Sequence, residues 1–144
     1  MRLWHKALIP VLPRQQLLGQ WRELCLIAKN LAVRGTPNHI LVNRITELPK
    51  WHLMSYALLV AIECECRGYK IDRYRFFKWF DQWHDGTIKT GDVPYEDIYF
   101  TWHNDRYLLQ CYYNLQEKYD CGAISKADWL KIEDCVEKEL AYEP

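Results

Sequence analysis

Four groups near the start of this chain could act together: the α-amine of Met1, Arg2 beside it, and the adjacent pair Arg22 and Glu23. An α-amine ordinarily titrates at about 7.7–8.0, so far more of it is unprotonated at neutral pH than of a lysine. Its lone pair can attack an electrophilic carbon and form an imine. Initiator methionine is ordinarily removed only ahead of a small residue; Arg2 is large, so Met1 is expected to stay and to carry that amine. A carboxylate such as Glu23 can hold the amine, stabilise a developing cation and shuttle protons, given burial that raises its pKa. Gly19, one helical turn earlier, leaves space beside it. The same residues also describe an ordinary chain start followed by the surface charges of a helix, and residue types alone do not choose between the two.

Helices have to position these groups. Leu17, Trp21, Leu24, Ala28 and Leu31 recur at helical spacing and form one apolar stripe, while Gln15, Arg22 and Lys29 form a polar one. Pro13 suits the first position of that helix, and the run from Arg34 through Gly35 and Pro37 stops it. A second helix is predicted over 49–67, closed by Gly68, and a third over 74–83 with Asp72 as its cap. A loop follows at 84–94, then a fourth helix over 97–119. Ser125 opens a capping motif for a last helix reaching 140. The expectation is an all-α fold: a compact single-domain bundle of four or five helices over 1–144. The N-terminal segment packs into the active-site cleft, and an acidic helix over 125–144 is appended.

The totals narrow the class. The 144 residues suffice for one domain with its own core, and a 15% aromatic content argues against disorder. The longest apolar run, 56–62, closes at Glu63 and falls far short of the roughly 20 residues that span a bilayer. No signal-peptide core is seen, so the chain reads as soluble and cytoplasmic. The six cysteines show no C-x-x-C pair and no accompanying His spacing, so no metal, disulfide or organic cofactor is expected. The net charge is zero, yet residues 1–50 hold eight Lys/Arg against two acids. That asymmetry fits an anionic partner such as nucleic acid. His103 and His39 are candidates for acid/base work or phosphate contact, and Arg106 for phosphate; each also fits a structural role. His5 lies close enough to the proposed amine to assist it.

At these residues the chain resembles a family, the phage-type pyrimidine-dimer DNA glycosylase/AP-lyases. The stretch from Leu12 to Leu24 is similar to the family's helix of form L-x-x-Q-x-L-x-x-x-[aromatic]-R-E-L. The stretch from Glu63 to Ile71 is similar to its E-C-x-x-R-G-[aromatic]-x-I. The segments 38–43 and 114–118 resemble further stretches, and the likeness covers most of residues 1–120. The resemblance implies a compact helical fold acting as a monomer on damaged double-stranded DNA. It further implies attack of the N-terminal amine on the sugar C1′ of a damaged nucleotide, an imine, and strand breakage by elimination. Carried over, Met1 supplies the nucleophile and Glu23 the essential carboxylate. Arg2 and Arg22 would hold phosphates, Gln15 would lie near the kinked lesion, and Lys118 would touch the backbone.

The chain also departs from the family. Leu26 stands where the family has an arginine, with Lys29 as a partial substitute, and Asn114 replaces another arginine. The lesion therefore stays open among a pyrimidine dimer, another damaged base and an abasic site. Two alternatives remain beside the glycosylase: a lesion-binding relative without base excision, and a helical protein-interaction module working through its acidic last helix.

Overall fold

The computed structural model describes residues 1–84 and 93–141. Helix α1 (Arg14–Arg34) organises the rest. Pro13, with ψ at 156°, turns the chain into it, and Gly35 ends it at φ 74°, a left-handed value that favours glycine, with its N–H bonded to Leu31 O at 2.9 Å. Its apolar stripe is buried from Leu17 to Leu31, and Gln15, Arg22 and Lys29 face outward. The buried face packs most extensively on α3 (Tyr74–Trp83) and also on α2 (Trp51–Cys66). Trp21 meets Phe76 there with ring centroids 6.0 Å apart. Helix α4 (Asp105–Asp120) packs on α5 (Lys126–Ala141). A 3-10 helix, Lys6–Val11, lies against α5 and α2. Shorter 3-10 turns occupy Asn43–Glu47 and Tyr95–Asp97. Among the described residues there is no strand, so the architecture is all-α as the periodicity predicts.

Two expectations need correction. The fourth helix starts at Asp105 rather than 97. Before it, Tyr99 adopts φ 49°, which no helix accommodates, and Asn104 caps the new start by accepting the Tyr107 N–H at 3.0 Å. The last helix is not an appendage. Trp129, Ile132 and Val136 are buried, and Trp129 stacks on Tyr119 at 5.1 Å, so α5 closes the core beside the N-terminal 3-10 helix. Its start matches the sequence, since Ser125 Oγ accepts the Asp128 N–H at 3.2 Å. The expected loop at 84–94 lies almost wholly outside the described residues.

Two cations fix the chain leading into α1. Arg67, at the end of α2, donates to the carbonyls of Leu12 (2.7 Å), Pro10 (3.0 Å) and Ile9 (3.3 Å). Lys6 is buried, and its Nζ donates to the carbonyls of Tyr95, Glu96 and Ile98 at 2.7–2.9 Å. Those carbonyls partly replace the water that the ammonium loses, which is how a lysine can be buried without a carboxylate. Together the two anchor residues 6–12 to elements distant in sequence.

Three buried histidines each use Nδ1 as an acceptor of a backbone N–H: His5 from Ala7, His103 from Lys6 and His52 from Tyr99, at 3.0–3.1 Å. The neutral ring is therefore the form that fits. Burial drives the pKa of His5 down to about 4, and lowers those of His103 and His52 as well. All three are shifted below the unfolded value of about 6.5, so below that pH the unfolded chain binds protons that the fold does not, for His5 down to about 4. Stability is complete above pH 6.5 and is lost as pH falls towards 4. His5 alone is expected to remove about 3 kcal/mol between pH 7 and 4. Urea midpoints measured at several pH values check this, and a flat profile would contradict it.

Candidate active site

The first residues have no regular structure, yet side chains from three helices satisfy their backbone. Gln20 of α1 does most of this. Its Oε1 accepts the Trp4 N–H at 2.7 Å, and its Nε2 donates to Arg2 O at 2.9 Å. The Tyr56 hydroxyl of α2 lies 2.6 Å from Trp4 O and 2.9 Å from Gln20 Oε1. The Tyr107 hydroxyl of α4 donates to Leu3 O. The carbonyls of residues 2, 3 and 4 thus each meet a side chain from a different helix, so the segment is held without a sheet.

This arrangement brings the chain start to Glu23. Glu23 Oε2 accepts the main-chain N–H of Arg2 and an Nε2–H of Gln20, each at 3.4 Å. Three covalent bonds separate the Met1 nitrogen from that Arg2 nitrogen, a path of about 4.3 Å at most. The Met1 amine therefore lies within about 8 Å of the carboxylate. Met1 and Glu23 are both half-buried. Among the described residues no ion pair within 4.0 Å occupies Glu23, so its contacts are long ones from neutral donors.

Glu23 lines a cleft of about 300 Å³ together with Trp4, Gln15, Gly19, Gln20 and Lys118. The two glutamines and Gly19 come from α1, and Lys118 comes from the end of α4. Arg2 places its guanidinium over the Trp4 ring, 5.6 Å from the centroid. Arg22 curls back over Gly19: a Cβ added to that glycine would stand 3.7 Å from an Arg22 terminal nitrogen. Glu23 and Lys118 thus line one opening, Arg22 reaches Gly19 in its wall, and the amine lies within about 8 Å of the carboxylate. This set of charges is able to bind an anion and to stabilise a cation formed beside Glu23.

The other candidates lie elsewhere. Lys29, two turns along α1 from Glu23, sits over the Trp79 ring of α3 at 5.7 Å. His103 is 6% exposed, stacked on His5 at 5.0 Å and bonded through Nδ1 to Lys6, so the structure places it in the core rather than at the opening. His5 shares that buried stack. His39 sits in the turn after α1, where its Nδ1 accepts the Leu41 N–H at 3.3 Å. Arg106 lines a different cavity, shared with Arg2. Among the described residues no cluster of three or more His, Cys, Asp or Glu is arranged to hold a metal.

Sequence reasoning passed over Gln20, Tyr56 and Tyr107. The one available signal was Gln20 itself, a polar residue three after Leu17 and four before Leu24, on the apolar side of α1. It is 1% exposed and must therefore find partners. Replacing Gln20 by leucine is expected to strand the Trp4 N–H and to lower stability by about 1–3 kcal/mol. The urea midpoint reads that loss, and an unchanged midpoint would remove the positioning role.

Residues 1–76 match the family described as pyrimidine dimer DNA glycosylase, which is more than half of the chain. The chain belongs to that family. The match holds α1 with Glu23, the opening segment, and Arg67 with its carbonyl partners; the likeness seen at 114–118 lies beyond it. No curated protein and no solved structure matches the chain. Membership in a DNA glycosylase family implies a DNA partner, in keeping with the basic first third of the sequence. No helix of the described residues is long and apolar enough to cross a membrane.

Proposed function

We propose that this protein is a DNA N-glycosylase with AP-lyase activity that works without a cofactor, the α-amine of Met1 being its nucleophile. The amine lone pair attacks C1′ of the damaged nucleotide as the glycosidic bond breaks, and the base leaves with that electron pair and takes up a proton. Loss of the second amine proton and opening of the ring give an imine at C1′. Removal of a C2′ proton then expels the 3′ phosphate and cuts the strand. Glu23 stabilises the cationic sugar and moves protons between these steps. Arg2 and Arg22 hold flanking phosphates, Lys118 touches the backbone, and Gln15 lies along the opened strand. Lys29, over Trp79, adds charge at the far end of the same face.

One observation carries the reading: Glu23, which lines the cleft, binds the first peptide N–H of the chain, so the amine lies one residue further out, within about 8 Å of the carboxylate. The test uses two duplexes, one with a single cyclobutane pyrimidine dimer and one with a single abasic site. Cleavage of both is expected. Cleavage of the abasic duplex alone would assign lyase activity without base excision, and cleavage of neither would overturn the reading.

A further inference from the structure

A second cavity, of about 630 Å³, has in its wall Arg2, the residue whose main-chain N–H Glu23 accepts. Arg2, Arg44 and Arg106 line it, and among the described residues no acidic one does. Its rim carries Ile40 and Leu41, exposed by 85% and 51%. Single exposed aliphatics are common on protein surfaces. Here two adjacent ones stand at the edge of a cavity bearing three guanidinium groups, so whatever fills it must be both anionic and apolar.

The tip is also held in place. Asn38 is left-handed at φ 59°, a value that a non-glycine residue rarely adopts, and its N–H bonds Thr36 Oγ1 at 3.2 Å. The His39 N–H donates to Asn43 Oδ1 at 3.2 Å, while Pro37 and Val42 are buried on either side of the tip. Arg44 is positioned as well. It stacks over Trp102 at 5.7 Å and donates to Thr101 O at 3.3 Å. Its bond to Glu47 is an exposed surface pair, of the kind that phosphate can displace.

The geometry points to a second DNA contact in which Ile40 enters the base stack as a wedge while Arg44 and Arg106 grip the phosphates beside it. A duplex presents phosphates outside and apolar base faces within, and aliphatic wedges between base steps unstack and kink it. The cavity shares Arg2 with the candidate active site, so this inference rests on the DNA reading above. The kink would fall next to the nucleotide presented to Glu23.

Two variants test it: Ile40→Ser, and Arg44→Gln with Arg106→Gln. The double variant is expected to reduce the slope of log affinity against log salt by about 1.8 for an abasic duplex, two phosphate contacts being lost. Ile40→Ser is expected to keep that slope. It should lose the fluorescence rise of a 2-aminopurine placed next to the abasic site, yet be trapped normally on a single-stranded abasic oligonucleotide, which has no stack to open. Wild-type slope and fluorescence in both variants would overturn the proposal. So would a loss confined to binding of phosphatidylserine vesicles, which would make the tip a membrane contact. If wild type is never trapped on abasic DNA but its duplex affinity still depends on Arg44 and Arg106, the proposed chemistry fails and this contact stands.

Discussion

Exchanging Glu23 for glutamine is expected to slow base release and strand cleavage by at least about a hundredfold, with DNA affinity changed by less than about threefold. Glutamine has nearly the shape of glutamate, and its Oε1 can still accept the Arg2 N–H that Glu23 Oε2 accepts now. The chain start should therefore stay where it is. What goes is the negative charge and the ability to take up a proton. A neutral amide can neither balance a cationic sugar nor collect the protons that imine formation releases. Binding should be spared, because a carboxylate beside the cleft repels phosphate and contributes nothing to holding it. Single-turnover cleavage of a lesion duplex and a gel-shift titration separate the two effects. A variant as active as wild type would remove Glu23 from the chemistry.

Any residue added before Met1 is expected to abolish imine formation. The addition turns a primary amine into an amide, whose nitrogen lone pair is delocalised and does not attack carbon. The change is local, since residues 2–4 are held by Gln20, Tyr56 and Tyr107 whether or not the chain begins there. An extended protein should thus fold, bind DNA and fail only at the covalent step. Removing the extension with a protease that leaves Met1 at the start should restore the reaction. Full activity in the extended protein would mean that a lysine does the work.

The features of the fold legible in the sequence are those with a local period. The stripe from Leu17 to Leu31 identified α1, the helix on which Glu23 stands half-buried. Gly35, Gly68 and Ser125 marked ends and starts through backbone and capping rules that act over a few residues. The region 97–104 was misread because its aromatic residues mimic a helical pattern. The left-handed turn at Tyr99 is held by groups distant in sequence: His52 Nδ1 accepts the Tyr99 N–H, and Lys6 donates to the carbonyl of Ile98 just before it. The same limit hid the clamp on the chain start. Tyr107 and Leu3 are 104 residues apart and Tyr56 and Gln20 are 36 apart, and no local pattern records either pairing. His103 shows the converse, a polar residue suited to chemistry by type that the fold spends on a backbone N–H in the core.

The most direct measurement is borohydride reduction of the unextended protein with an abasic duplex, followed by peptide mapping of the adduct. One covalent complex per site is expected, with the sugar on the nitrogen of Met1. An adduct on Lys118 or another lysine, or no adduct at all, would contradict it.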